Sequence, residues 1–289
     1  MKKQSMLLSL LFSTICALGL MTCVVSAQLP GTLSDGLVLS YQFNGDCVDS
    51  SDFNNNGTPI GVMYRNDRYG ASDSALYIPN GSDIFKFTYG GNNENVQSIV
   101  NIPISGNSNR SISYWCKFDN ANSYVCLSWG LSYPGYYYHN NYIQSGSTES
   151  YTGAQNDSTW FTGSYADKLW ASGINVDDIW RQVTFTYSEN LGGASLYVDG
   201  KLLSNGVIGT GDPLLLNSDG ILDTDSTPLK ISGFNGGFID DVNIWNRTLS
   251  SSEVSTLYNT QLVPEPSTYA LLGIGAMGLL MVLRKKKTA

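Results

Sequence analysis

Apolar and polar residues along this chain change places in short runs bounded by Gly, Asn, Asp and Ser, a pattern that predicts strands and turns rather than helices. The first run is Leu37 to Phe43, followed by turn residues at Asn44-Gly45-Asp46 and again at Asn54-Asn55-Asn56-Gly57, where Asn and Gly tolerate positive φ. Further strands are predicted over 61–64, 74–78, 96–102, 111–118, 123–129, 180–187, 194–203 and 228–232. Within 180–187, Val183, Phe185 and Tyr187 alternate with polar neighbours, the period of a strand. Asp199-Gly200 between two apolar runs is a two-residue hairpin signal. A second hairpin is expected around Asp119-Asn120-Ala121-Asn122. Its register sets Cys116 opposite Cys126, with Cβ atoms about 4.5–5.5 Å apart, close enough for a disulfide after modest adjustment. The stretch 134–176 is rich in Tyr and Trp and is expected to add a hairpin and long loops at one face or edge. No repeat of solenoid period occurs, so the pattern reads as one domain.

The last predicted strand, Gly236 to Trp245, is apolar except for two adjacent carboxylates, Asp240 and Asp241. Buried charges are costly unless something satisfies them, which makes this the most informative pair in the domain. In a regular strand the two side chains point to opposite faces. A short helix follows over 249–258, with Ser250 as cap, Glu253 three residues on, and Val254, Leu257 and Tyr258 as its apolar positions.

Composition narrows the chemistry. Charged residues make up only 14% of the 289 residues. The single histidine, His139, rules out a His-based metal cluster and leaves a catalytic triad one candidate base. It reads as a surface or packing residue beside Tyr136-Tyr137-Tyr138. The N-terminus has the form of a signal peptide: Lys2 and Lys3, an apolar core from Met6 to Met21, and Val25-Ser26-Ala27 as cleavage site, giving 1–27 as leader. A lipoprotein signal at Cys23 fits poorly, because threonine precedes the cysteine. Segment 263–289 joins Val263-Pro264-Glu265-Pro266-Ser267 to an apolar run (268–283), expected to span the membrane, and to a basic end (284–287). Six basic residues and one acidic residue lie in these termini, which leaves ten basic and 23 acidic side chains in 28–262, a net of −13. Such a surface disfavours nucleic acid and suits divalent cations, neutral glycans or no ligand. Cys47 remains as an odd thiol, either buried or open to pairing with another chain.

Several segments carry a family resemblance. Phe43-Asn44-Gly45, Ser111-Ile112-Ser113-Tyr114-Trp115-Cys116-Lys117, Leu196-Tyr197-Val198-Asp199-Gly200-Lys201 and the run from Gly237 to Tyr258 resemble the laminin G-like domains of the concanavalin A-like lectin/glucanase superfamily. The resemblance covers about 37–135 and 177–258. It implies an all-β, two-sheet antiparallel jelly-roll sandwich with one short C-terminal helix. It also implies a structural calcium held by Asp240, with Asn44 or Asp46 and the backbone of Gly45 completing the cage; Asp241 is expected to face away. The alternative left open is that Asp240 caps backbone amides of the neighbouring loop. The tail resembles the PEP-CTERM sorting signal of Gram-negative bacteria, carried on Pro264, Glu265 and Pro266, the apolar run and the basic end. That resemblance implies an exosortase-type sorting enzyme as partner. It also implies export through an inner-membrane-anchored form to the envelope or matrix; a simple tail anchor is the alternative.

Catalysis is not expected. Glu94, Glu149, Glu189 and Glu253 are isolated from one another, and the Glu-x-Asp-x-Glu type pattern in which the glucanases of the resembled superfamily place their two carboxylates on one strand does not occur. A glycan platform built from Tyr136, Tyr138, Tyr142, Trp160 and Trp170 is the candidate binding surface, against the alternative that these aromatics pack the insert onto the sandwich. The sequence therefore reads as an exported, non-enzymatic carbohydrate-binding or matrix module. A structural surface protein without glycan recognition is the second reading and a hydrolase the third.

Overall fold

The computed structural model describes residues 29, 31–79, 96–106, 108–118, 124–133, 136–146, 160–163, 168–171, 178–190, 193–207, 226–234 and 237–262. The predicted leader, the sorting motif and the predicted spanning segment 268–283 lie outside these residues; among the described residues no helix is long and apolar enough to cross a membrane. A one-turn helix α1 (Gly31–Ser34) leads into β1 (Leu37–Tyr41), β2 (Gly57–Pro59), β3 (Met63–Arg65), β4 (Ala75–Ile78) and β5 (Val96–Asn101). Then come β6 (Arg110–Phe118), β7 (Tyr124–Tyr133), β8 (Tyr136–Gly146), β9 (Trp160–Gly163) and β10 (Lys168–Ala171). The chain continues through β11 (Arg181–Ser188), β12 (Gly193–Val198), β13 (Lys201–Val207), β14 (Pro228–Phe234) and β15 (Gly237–Trp245) to helix α2 (Ser251–Gln261).

These strands form the expected two-sheet antiparallel sandwich. One sheet runs β13-β12-β11-β6-β15-β4-β3, with β1 also paired to β15; the other runs β10-β9-β8-β7-β14-β5-β2. Alternation decides what faces inward. Ile112, Tyr114, Cys116 and Phe118 of β6, Val183 and Phe185 of β11, and Ile239 and Ile244 of β15 share one core with Val96, Leu127, Trp129, Leu229 and Ile231 of the opposite sheet. Fully burying a side chain of this size stabilises by roughly 1.5–3 kcal/mol, so this layer supplies the main driving force.

The hairpin expected between β6 and β7 is not formed. β6 pairs with β11 and β15, whereas β7 pairs with β8 and β14. Cys116 therefore stands across from Arg181 and Ile239, Cys126 stands across from Ser232 and Gln144, and the predicted Cys116–Cys126 bridge is absent. The physical reason is burial: eight of the nine β6 residues are buried, the exception being Lys117. Such a strand belongs in the middle of a sheet between two partners, and the chain crosses to the other sheet after Phe118. The Asp199-Gly200 hairpin is formed, pairing Val198 with Lys201, and both turn residues have positive φ (52° and 71°), as this tight turn requires. Gly200 serves a second purpose, since an added Cβ there would come within 2.9 Å of Tyr258 on α2. Tyr258 in turn stacks on Trp115 of β6, ring centroids 5.7 Å apart, which seats the helix on the outer face of the sheet.

The start of α2 carries the capping box read from the sequence. The Glu253 amide donates to Ser250 Oγ, and the Ser250 amide and hydroxyl donate to the Glu253 carboxylate. Arg247 Nη2 lies 2.8 Å from the same carboxylate and, ahead of the Ser250 contacts, lowers its pKa from 4.5 to about 2. Because folding lowers this pKa, the contribution is present above about pH 4.5 and is lost as the pH falls toward 2. In urea titrations, wild type is expected to exceed Glu253→Gln in stability above about pH 4.5, with the gap closing toward pH 2. A gap that stays constant over that range would contradict the assignment.

Candidate functional site

Strict alternation along β15 would put Asp241 on the core side with Ile239. The strand avoids this with a bulge. Asp240 pairs with Trp115 of β6, the next pair is Asn243 with Ser113, and Asp241 adopts φ 46° in the left-handed region, which Asp tolerates better than most residues. The inserted residue restores Val242 and Ile244 to the core and keeps both carboxylates out of it. The bulge also sits where β15 changes neighbour: Gly237 to Ile239 pair with β4, and Val242 to Trp245 pair with β1.

Both carboxylates meet one cation. Arg68 Nη1 lies 2.7 Å from Asp240 Oδ2, and Arg68 Nη2 lies 2.6 Å from Asp241 Oδ2. The side chains of Arg68 and Asp240 are only 9% and 4% exposed, so these are charges held away from water. The guanidinium carbon lies 4.5 Å from the ring centres of both Tyr69 and Trp115, placing the cation against two aromatic faces. Arg68 is presented by a tight turn in which Asp67 Oδ1 accepts the amides of Tyr69 and Ala71. Burial alone would lower the Arg68 pKa, but Asp241 and Asp240 offset this and raise it. Burial, then Asp241, pushes Asp240 well above the usual carboxylate range, with Arg68 pulling the other way.

This geometry corrects two expectations. Asp241 does not face away from Asp240, because the bulge resets the alternation. Asp240 does not cap a neighbouring loop: its Oδ1 accepts the adjacent Asp241 amide and its Oδ2 takes Arg68. The donor set around Asp240 also does not fit calcium. That ion needs six to eight oxygen donors free of competing positive charge, and a guanidinium already stands at hydrogen-bond distance. Asn44, Gly45 and Asp46 make no hydrogen bond to Asp240 among the described residues. They form an exposed corner of their own, where the Gly45 amide donates to Phe43 O and Asp46 Oδ1 accepts the Val48 amide. The chain bends away after Tyr41, with Phe43 at φ 52° and Gly45 at 82°, and β4 takes over beside β15. No group of three or more His, Cys, Asp or Glu side chains among the described residues is arranged to hold a metal ion.

Two further residues that sequence reasoning passed over tie the sheets together. Asp49 is buried. Its Oδ1 accepts the amides of Ser40 and Ser51, and its Oδ2 accepts the Ser51 hydroxyl and the Asn55 amide. Asn55, wholly buried, bonds both the amide and the carbonyl of Val100 on β5. One route thus runs from β1 in the first sheet to β5 in the second. Asn54, at φ 52°, fits the turn chemistry expected of the asparagine run, but Asn55 does not. The signal for Arg68 was indirect: a buried acid pair requires a cation, and only ten basic residues were available.

Tyr136, Tyr138 and Tyr142 lie on β8, Trp160 on β9 and Trp170 on β10, so the aromatic insert extends one end of the second sheet. β8 pairs with β9 (Tyr142 with Gly163), and β9 pairs with β10 (Phe161 with Trp170). The side chains of this expected glycan platform and of His139 lie outside the described residues, as do Pro264, Glu265 and Pro266.

Residues 89–255 match the family model described as the concanavalin A-like lectin/glucanases superfamily, and residues 262–286 match that of the PEP-CTERM protein-sorting motif. No curated protein matches the chain in sequence. Among solved structures it is similar to the binding domain of Paraclostridial Mosquitocidal Protein 1, with 20% identity, TM-score 0.53, and 79% of this chain and 53% of that one covered. It is also similar to the botulinum neurotoxin serotype D ligand binding domain in complex with N-acetylneuraminic acid, with 17% identity, TM-score 0.52, and 82% and 53% covered. The chain spans about half the length of these toxin domains. A third similar structure is domain 4 of AbnA, a GH43 extracellular arabinanase from Geobacillus stearothermophilus, in complex with arabinotriose. There the identity is 20%, the TM-score 0.50, and 77% of this chain and 98% of that one are covered. These likenesses establish the fold.

Asn55 distinguishes a structural tie from turn chemistry. Asn55→Ala removes the side-chain partner of the Val100 amide and one of the two donors to its carbonyl, Ser98 Oγ keeping the other, and is expected to cost about 1–3 kcal/mol in urea unfolding. Asn54→Gly, which keeps the positive φ accessible, is expected to stay within about 0.5 kcal/mol of wild type. Equal effects at the two positions would contradict the assignment.

Proposed function

We propose, for a chain that belongs to the concanavalin A-like lectin/glucanases superfamily and carries a PEP-CTERM protein-sorting motif, that the sandwich is an exported, non-catalytic module that binds or builds a polysaccharide matrix at the cell envelope. The observation that carries this reading is the junction at residue 262. Helix α2 ends at Gln261, and the sorting motif begins at Leu262, so the domain is the cargo that the motif delivers. Recognition of the motif by an exosortase-type enzyme, and passage through a membrane-anchored form, follow from the same premise. Calcium has no part in this reading.

Polysaccharide is favoured as ligand by two similar domains, one described in complex with N-acetylneuraminic acid and the other with arabinotriose. The net charge of −13 outside the termini favours neutral over anionic polymers. The aromatic strands β8 to β10 provide the surface, since rings offer flat apolar area with polar edges that suits sugar faces. The lack of the Glu-x-Asp-x-Glu pattern that the superfamily's glucanases carry on one strand argues against hydrolysis, and the one adjacent acid pair, Asp240 and Asp241, is engaged by Arg68.

Affinity electrophoresis through gels containing neutral polysaccharides, arabinan among them, tests the ligand. Retardation by at least one polymer is expected, together with a loss of about tenfold or more in Trp160→Ala/Trp170→Ala. Correctly folded protein that no polymer retards would instead support a purely structural surface role. Mass spectrometry of protein recovered from cells carrying the sorting enzyme tests the delivery step: the C-terminus is expected within or just before Val263 to Ser267. An intact 289-residue C-terminus would contradict it.

A further inference from the structure

We infer that Arg68 is the resident cation of the Asp240–Asp241 pair, and that the position where a structural calcium is expected is occupied by a guanidinium that the chain supplies itself. Three observations converge on this. Both carboxylates address separate Nη atoms of one guanidinium, at 2.7 and 2.6 Å, so the fork is matched to the pair as a two-point receptor. The cation lies against Tyr69 and Trp115, each 4.5 Å away, and rings are neighbours that suit a weakly hydrated guanidinium better than a metal requiring oxygen donors. The turn that delivers Arg68 is itself braced, by Asp67 Oδ1 to two amides and by the Asp67 amide to Ala71 O.

The consequence concerns how the domain holds together outside the cell. A metal clasp makes stability depend on free calcium through mass action. A clasp in cis does not. The strand switch at β15, where β4 gives way to β1, is therefore locked at any calcium concentration, and chelators leave it closed. The Asx turn at Asp67 and the bulge at Asp241 are the two backbone devices that make this possible: one aims the arginine, the other brings the second carboxylate round to meet it.

The test uses the full-length chain in mild detergent, with melting followed in EDTA and in millimolar calcium, and calcium content measured by elemental analysis. Wild type is expected to melt at the same temperature in both conditions and to carry well under one calcium per chain. Arg68→Ala is expected to melt about 6–15 °C lower, with Arg68→Lys in between, because lysine keeps the charge but not the fork. Stoichiometric calcium with a melting temperature that EDTA lowers and calcium restores would overturn the proposal. So would an Arg68→Ala that melts with wild type. If Arg68→Ala does not accumulate folded, Arg68→Lys and the wild-type chelation arm still decide.

Discussion

Two carboxylates placed side by side in a buried strand create an electrostatic demand that the rest of the domain is built to meet. Asp240 and Asp241 cannot both be desolvated without a cation, and the cation must arrive at a fixed point on the outer face of β15. Arg68 supplies it from a turn more than 170 positions earlier in the chain. Meeting that demand fixes three other features: the bulge that turns Asp241 outward, the aromatic pair Tyr69 and Trp115 that enclose the guanidinium, and the change of neighbour from β4 to β1 along one strand. Trp115 carries the influence further, since its ring also receives Tyr258 of the C-terminal helix. The clasp and the element that precedes the sorting motif thus rest on one indole.

A second constraint acts on the opposite side of the same strand system. β1 ends in a corner that leaves the first sheet, and the buried carboxylate of Asp49 collects four donors there. Asn55 passes the connection to β5. The sandwich is therefore tied by polar side chains at its edge as well as by apolar packing at its centre, and each tie uses a short-chain acid or amide to satisfy backbone groups that no ladder reaches.

The fold was legible because its signals are local and periodic. Val183, Phe185 and Tyr187 declare a strand whose alternate side chains enter the core, Asp199-Gly200 declares a tight hairpin, and Ser250 with Glu253 declares a helix start. The acid pair was legible as a demand but not as a solution. Its partner lies in another turn of the chain, and the bulge that makes the partnership possible leaves no mark on periodicity beyond an extra residue. The Cys116–Cys126 register failed for a related reason. A turn-like sequence at Asp119 to Asn122 says that the chain reverses, not whether it returns to the same sheet, and the burial of β6 on both faces decided in favour of two other partners. Asn55 was read as one of three turn asparagines because nothing in a run of identical residues says which one turns inward.

The central claim is that Arg68 and Asp240 are energetically coupled and not merely adjacent, and a double-mutant cycle measures that directly. Unfolding free energies of wild type, Arg68→Ala, Asp240→Ala and the double variant give the coupling without assigning all of either loss to the pair. A favourable coupling of about 2 kcal/mol or more is the result the clasp predicts. Losses that add to within about 0.5 kcal/mol would show that the two residues stabilise the domain independently, and would contradict the account.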